Sequence, residues 1–88
     1  MTYQVDFMPK AVEDINRLDK AIAQRTLTRI RWLSENFDDI TPEVLTGDLK
    51  GLLKLRVGSY RVLYTVSPKD KLITIHFIGH RKDIYRTT

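Results

Sequence analysis

At 88 residues with no internal repeat, the chain reads as a single domain over residues 1–88. It is long enough to bury roughly 60–65% of its unfolded surface and fold alone. It has no cysteine, which excludes disulfides and thiolate metal sites, and only His76 and His80 remain as soft ligands, so neither a metal nor another cofactor is expected. Fifteen Lys and Arg against eleven Asp and Glu give a net charge of +4. Every acidic residue but Asp70 and Asp83 precedes residue 49, so the positive excess falls on the C-terminal half, which suits a polyanion or an acidic partner.

The opening stretch MTYQVDF has neither a basic region nor a long apolar run, and nowhere do about eighteen apolar residues follow one another. A soluble, cytoplasmic protein with no membrane segment is expected. Tyr3, Val5 and Phe7 alternate with Thr2, Gln4 and Asp6, the period of a half-buried strand. Pro9 suits the first turn of a helix, where a missing N–H costs nothing. Glu13 and Asp14 then lie toward its positive end, with Val12, Ile15 and Leu18 as the apolar stripe. Asp19 is placed to N-cap a second, longer helix running to about Asn36, with Ile22, Ala23, Leu27, Ile30, Leu33 and Phe37 on its apolar side. The two helices are expected to form a hairpin. Arg25, Arg29 and Arg31 read as a solvated face and Trp32 as packing. Residues 38–49 contain Pro42 and Gly47 and keep no period, so they read as the loop returning the chain to the sheet.

Leu53, Leu55 and Val57 alternate with Lys54 and Arg56. Gly58 and Ser59 make a two-residue turn of type II′, and Tyr60, Val62 and Tyr64 alternate with Arg61 and Leu63. That loop pairs Val57 with Tyr60, Leu55 with Val62, Leu53 with Tyr64 and Arg56 with Arg61. The apolar partners share one face, and Lys54, Arg56 and Arg61 share the other. Pro68 to Lys71 turns the chain into a last strand, Leu72 to Gly79. In the expected register Val66 pairs with Ile73, Tyr64 with Ile75, Val62 with Phe77 and Tyr60 with Gly79, while Arg61 faces Ile78 and both histidines lie on the basic side. HRKDIYRTT follows with no helical or strand period. The expected fold is α+β in the order β-α-α-β-β-β. A helical hairpin covers the apolar face of a small antiparallel sheet, and the opposite face is open and basic.

Like charges directly opposite one another destabilise a strand pair, so three cations on one face imply an anion across them. Lys54, Arg56, Arg61 and Arg81, with Tyr85, have the parts of an RNA phosphate site. Arginine forks bind phosphate oxygens, Lys supplies a charge or a proton, and a Tyr hydroxyl hydrogen-bonds or acts as acid or base. RNA brings its own nucleophile, the 2′-OH. The competing reading is a solvated strand face whose cations discourage edge pairing. His76 and His80 stand four apart on a strand, which is not the helical spacing of a zinc pair, and His80 beside Arg81 is the better acid or base. Gly47, Gly51, Gly58 and Gly79 stand too far apart for a phosphate or dinucleotide loop.

On these residues, LTGDLKGLLKLRVGSYRVLY from Leu45 to Tyr64 and GHRKDIY from Gly79 to Tyr85, the chain resembles the RelE/ParE superfamily of toxins from type II toxin-antitoxin modules, and the RelE branch more closely. The resemblance implies a RelE-like fold similar to that of small microbial ribonucleases. It also implies a metal-independent endoribonuclease that inhibits translation by cutting messenger RNA in the ribosomal A site through 2′-OH attack. Lys54 matches a residue of proton transfer, Arg61 and Arg81 match the arginines on the scissile phosphate, and Tyr85 matches the tyrosine that orients or deprotonates the nucleotide. Arg56, Lys50 and His80 would support RNA binding. Leu52 stands where the RelE branch has a second Lys, so the general base is open, with Lys50 or His80 as substitutes. The implied partner is an antitoxin that lays an acidic or amphipathic segment over the basic face and supplies any contact to promoter DNA. The alternative is a ParE-like poison of DNA gyrase without nuclease activity.

Overall fold

The computed structural model describes residues 2–86. The chain runs β1 (Gln4–Phe7), α1 (Pro9–Arg17), α2 (Lys20–Asn36), β2 (Glu43–Val44), β3 (Leu53–Val57), β4 (Tyr60–Ser67) and β5 (Leu72–His80), with 3₁₀ turns at Phe37–Asp39, Gly47–Leu49 and Ile84–Arg86. Pro9 opens α1, and the Asp19 carboxylate caps α2 by accepting the Ala21 N–H at 3.2 Å. Ile15 and Leu18 at α1, and Ile30, Leu33 and Phe37 along and just past α2, pack on the core as the expected stripes have them, but Val12 and Leu27 are exposed, and Ala11, Asp14, Thr26 and Ser34 face inward in addition. Thr26 and Ser34 can be buried because each hydroxyl donates to a carbonyl of its own helix, Ile22 at 2.8 Å and Arg31 at 2.7 Å. Small side chains there let the helices lie close on the sheet.

The sheet has five strands in the order β1-β5-β4-β3-β2, and it is mixed rather than antiparallel. β1 runs parallel to β5, from Gln4 beside Leu72 to Phe7 beside Ile75. A parallel neighbour needs a crossover, and the helical hairpin with the following strands supplies it. The segment expected as loop contains β2, whose two residues pair antiparallel with Lys54 and Leu53. An element of two residues is too short to show a period.

The β3–β4 hairpin has the expected register throughout, from Leu53 opposite Tyr64 to Val57 opposite Tyr60. Gly58 has a φ of +59°, and Ser59 does not share the positive sign, the combination of a type II′ turn. The β4–β5 register begins as expected, with Val66 on Ile73 and Tyr64 on Ile75, and then shifts by one residue between Leu63 and Tyr64. Beyond that bulge Val62 lies opposite Ile78, Leu63 opposite Phe77, Arg61 opposite Gly79 and Tyr60 opposite His80. The reason lies in the sequence: Ile75 and Ile78 are three apart, and both can reach the core only if an extra residue, His76, is inserted between them. The correction moves His80 to the helix side of the sheet.

The core between helices and sheet contains Ile30, Leu33, Leu55, Val57, Val62, Tyr64, Ile73, Ile75 and Ile78. Phe37 packs edge-on against Tyr3 and Tyr64, with ring centroids at 5.2 and 6.4 Å. The opposite face is less open than expected. Leu63 and Ile84 are buried outside that cluster, because the turn after β5 folds back and sets the Ile84 side chain against Gly79. No helix is long and apolar enough to cross a membrane among the described residues.

Candidate functional site

β3 and β4 present Lys54, Arg56 and Arg61 on the face away from the helices. Arg56 lies directly opposite Arg61, and Lys54 opposite Leu63. Arg61 in turn lies opposite Gly79, whose missing side chain makes room for Ile84. The Arg61 guanidinium is held at the hairpin turn, where Nη1 donates to the carbonyls of Gly58 and Tyr60, each at 2.8 Å. Those bonds use one of the fork's three nitrogens. The backbone N–H of Arg81 donates to the Ser59 carbonyl at 2.8 Å, so the end of β5 is clipped to the same turn. The backbones of two arginines twenty residues apart therefore come together at one corner. Tyr85, 41% exposed, follows in the turn that Ile84 anchors.

The other end of the cluster has a carboxylate that the sequence reading passed over. Glu43 on β2 stands opposite Lys54 and bridges two cations, 3.5 Å from Lys54 Nζ and 3.3 Å from Arg56 Nε. Lys54 is largely covered, whereas Glu43 and Arg56 remain about half exposed, so these pairs contribute little to stability and open at little cost to an incoming anion. The signal for Glu43 was the crowded cations themselves, which demand a counter-charge, but nothing in residues 38–49 marks a strand.

The remaining candidates fall outside this group. Lys50 is exposed in the β2–β3 connection, four residues along the chain before Lys54. His80 packs edge-on against Tyr60 at 5.3 Å on the helix side, and its Nδ1 accepts the Lys82 N–H at 3.1 Å. His76, in the bulge, stays on the site's face and lies 2.9 Å through Nε2 from the Thr65 hydroxyl. No cluster of three or more His, Asp or Glu side chains able to hold a metal occurs among the described residues.

Burial holds the pKa of His76 below its ordinary 6.5. The unfolded chain therefore takes up a proton at a higher pH than the folded one, and the neutral ring contributes stability above about pH 6.5 that is lost as pH falls through the lower folded value. The thermal midpoint is expected to drop between pH 7.5 and pH 5, and the drop to be smaller in His76→Gln. Equal drops in the two proteins would remove His76 from the account.

The family described as ParE toxin of type II toxin-antitoxin system, parDE, matches residues 5–85. A putative RelE-like toxin of Escherichia coli is 29% identical over 97% of this chain and 92% of its own length. The toxin-antitoxin complex RelBE2 of Mycobacterium tuberculosis superposes with a TM-score of 0.83 at 26% identity, covering 94% of this chain and 95% of that one. The archaeal RelE-RelB complex of Pyrococcus horikoshii superposes at 0.72 with 35% identity over 92% and 97% of the two chains. A family match along almost the whole chain, on a fold shared with RelE toxins, makes this protein a toxin of a type II toxin-antitoxin module, a member of the RelE/ParE family.

Proposed function

We propose that this toxin is a metal-independent endoribonuclease that cuts messenger RNA on the ribosome, in the A site, and so inhibits translation in the cytoplasm. The observation that carries the reading is the meeting of Arg61 and Arg81 at the Gly58–Ser59 turn, through the Arg81 amide on Ser59, with Tyr85 close behind in the chain. The Arg61 fork, joined by the Arg81 guanidinium from the neighbouring strand end, would suit the non-bridging oxygens of a phosphodiester and the extra charge of its pentacoordinate transition state. In-line displacement then needs a base and an acid on opposite sides of the phosphorus. Arg61 sits on β4, with Lys54 and Glu43 on one side of it and the end of β5 on the other. The 2′-OH attacks phosphorus and loses its proton toward the Lys54–Glu43 pair, the P–O5′ bond breaks, and the 5′ oxygen takes a proton on the Arg81–Tyr85 side. Glu43 answers the missing Lys at Leu52, since a carboxylate beside Lys54 can receive the 2′ proton directly.

The antitoxin is the natural regulator. The toxins of similar fold were solved in complexes such as RelBE2 and RelE-RelB, and an acidic or amphipathic segment lying over Lys54, Arg56 and Arg61 would occupy the phosphate positions. Promoter DNA is reached only through that antitoxin. A second reading, a poison of DNA gyrase without nuclease activity, is favoured by the ParE description of the matching family.

Primer extension on a reporter message after brief induction separates them. The nuclease reading expects codon-phased cuts that vanish in Arg81→Ala and on a reporter without a start codon, and weaker cutting by Tyr85→Phe. Cuts persisting on the untranslated reporter would mean a free ribonuclease. Growth arrest with a DNA-damage response and no cuts would mean gyrase.

A further inference from the structure

Trp32, read from the sequence as packing, is 37% exposed. It projects from α2 beside Arg29, whose guanidinium carbon lies 4.1 Å from the indole centroid, a stacked cation–π pair. The pair walls a notch of about 250 Å³ that Ile40, Pro42, Leu55 and Tyr64 line with apolar surface and Lys54, Arg56 and Glu43 close with charge. That volume is below the ~300–1,000 Å³ of pockets for drug-sized ligands and suits a single flat ring. The floor is one edge of the sheet. β2 pairs only with Leu53 and Lys54, so among the described residues no strand covers Leu55 to Val57 on that side. Arg56, two residues beyond Lys54, turns its backbone amide and carbonyl to this uncovered edge, where they can serve a hydrogen-bonding ring edge. The Tyr64 hydroxyl at the back stays protonated, since burial and then the charge of Glu43 push its pKa up to about 12.

We propose that this notch is a nucleobase subsite, in which the base next to the cleaved phosphate stacks on the Arg29–Trp32 pair. The assignment rests on the nuclease reading for its choice of RNA, and on two further features. The notch is continuous with the basic cluster, since Lys54, Arg56 and Glu43 belong to both, and Arg56 stands directly opposite Arg61. Arg56 on β3 and Arg61 on β4 stand one strand spacing apart, about 4.8 Å. Its charge is also right for a polyanion, with Arg29, Lys54 and Arg56 against the single carboxylate of Glu43. Guanidinium planes and indoles are the surfaces on which single-stranded bases stack. Sequence tolerance follows, because every base offers a π face.

Trp32 is the only tryptophan in the chain, so its emission reports on this notch alone. The test titrates the free toxin with a short single-stranded RNA that is 2′-O-methylated throughout and cannot be cut, reading Trp32 emission together with the anisotropy of a dye on the RNA. A second titration uses the same backbone with abasic residues, and a third an acidic peptide. The RNA is expected to quench Trp32 saturably, and the abasic strand to bind through its phosphates without quenching. Trp32→Ala is expected to weaken RNA about tenfold and leave the abasic strand unaffected, with Trp32→Phe recovering most of the loss. Binding without quenching, equal affinity in Trp32→Ala, or no binding at all would overturn the subsite. Quenching by the acidic peptide and not by RNA would make the notch a protein-docking surface instead. Because the RNA cannot be cut, the two readings fail separately. Quenching without message cleavage in the primer-extension experiment keeps the subsite and removes the nuclease, and cleavage without quenching does the reverse.

Discussion

Arg61→Ala is expected to slow cleavage of a translated message by about 10²–10³-fold, the usual cost of removing one fixed donor from the charge of a transition state. The expectation is large because Arg61 is both central and fixed. It sits on β4, between the strand of Lys54 and the strand that ends at His80, just before Arg81, and its Nη1 bonds to Gly58 and Tyr60 set the fork before any substrate arrives. Donors oriented in advance need no reorganisation when charge develops, which is where most of their effect comes from. Arg61→Lys keeps the charge but loses the planar fork, so it is expected to fall between Ala and the natural residue. The measurement is the single-turnover rate on ribosome-bound message. Thermal midpoints of both variants should lie close to the parent, because the carbonyls released sit at an exposed turn. Arg61→Ala and Arg81→Ala combined are expected to cost less than the sum of the two, since both act on one phosphate. Full activity in Arg61→Ala would remove the basic corner from the mechanism.

The parts of this site that were legible in the sequence share one property: each is fixed by local chemistry over a few residues. Strict alternation on both sides of Gly58–Ser59 gave the pairing of Arg56 with Arg61, because a slip of one residue would put Val57 and Val62 in water. The first helix began at Pro9 and the second at the Asp19 cap for reasons equally local. What was not legible depends on choices between near-equal options. In the run Ile75-His76-Phe77-Ile78 three of four residues are apolar, so either register buries apolar surface, and only the three-residue spacing of Ile75 and Ile78 decides for a bulge. That choice carried His80 away from the basic face. Glu43 and Trp32 were hidden differently. Glu43 acquires its role from a strand of two residues, and Trp32 becomes a wall only because β2 stops short of Arg56.

Asp14→Ala is expected to lower the thermal midpoint by about 10 °C, from a loss of about 2 kcal/mol. On the sequence Asp14 reads as a charge near the positive end of a helix, one of the cheapest positions for an acid. In the fold it is buried six residues into α1, where Oδ1 takes the Lys10 ammonium at 2.7 Å and Oδ2 accepts the backbone N–H of Ile78 at 3.0 Å. That second bond is needed because β1 ends at Phe7, opposite Ile75, and the last turn of ladder it supplies is the Met8 N–H on the Ile75 carbonyl. Past the bulge, β5 has no strand on that side among the described residues, and Ile78 would carry an orphaned buried amide, which costs about 1–3 kcal/mol. Helix α1 stands in for the missing strand through one carboxylate. Asp14→Asn keeps an acceptor oxygen for Ile78 and loses only the ion pair with Lys10, whose side chain is about one-third exposed, so it is expected to recover most of the stability. Amide hydrogen exchange gives the sharper readout: protection at Ile78 should fall in Asp14→Ala beyond the global loss and hold in Asp14→Asn. The consequence reaches the site, because Gly79 follows Ile78 directly and Arg81 lies three residues on, and a β5 end released from α1 no longer fixes the seat of Ile84 or the Arg81 amide on Ser59. Asp14→Ala should therefore lose cleavage at temperatures well below its melting point. Retention of full activity there would show that the Ser59 clip alone holds the corner.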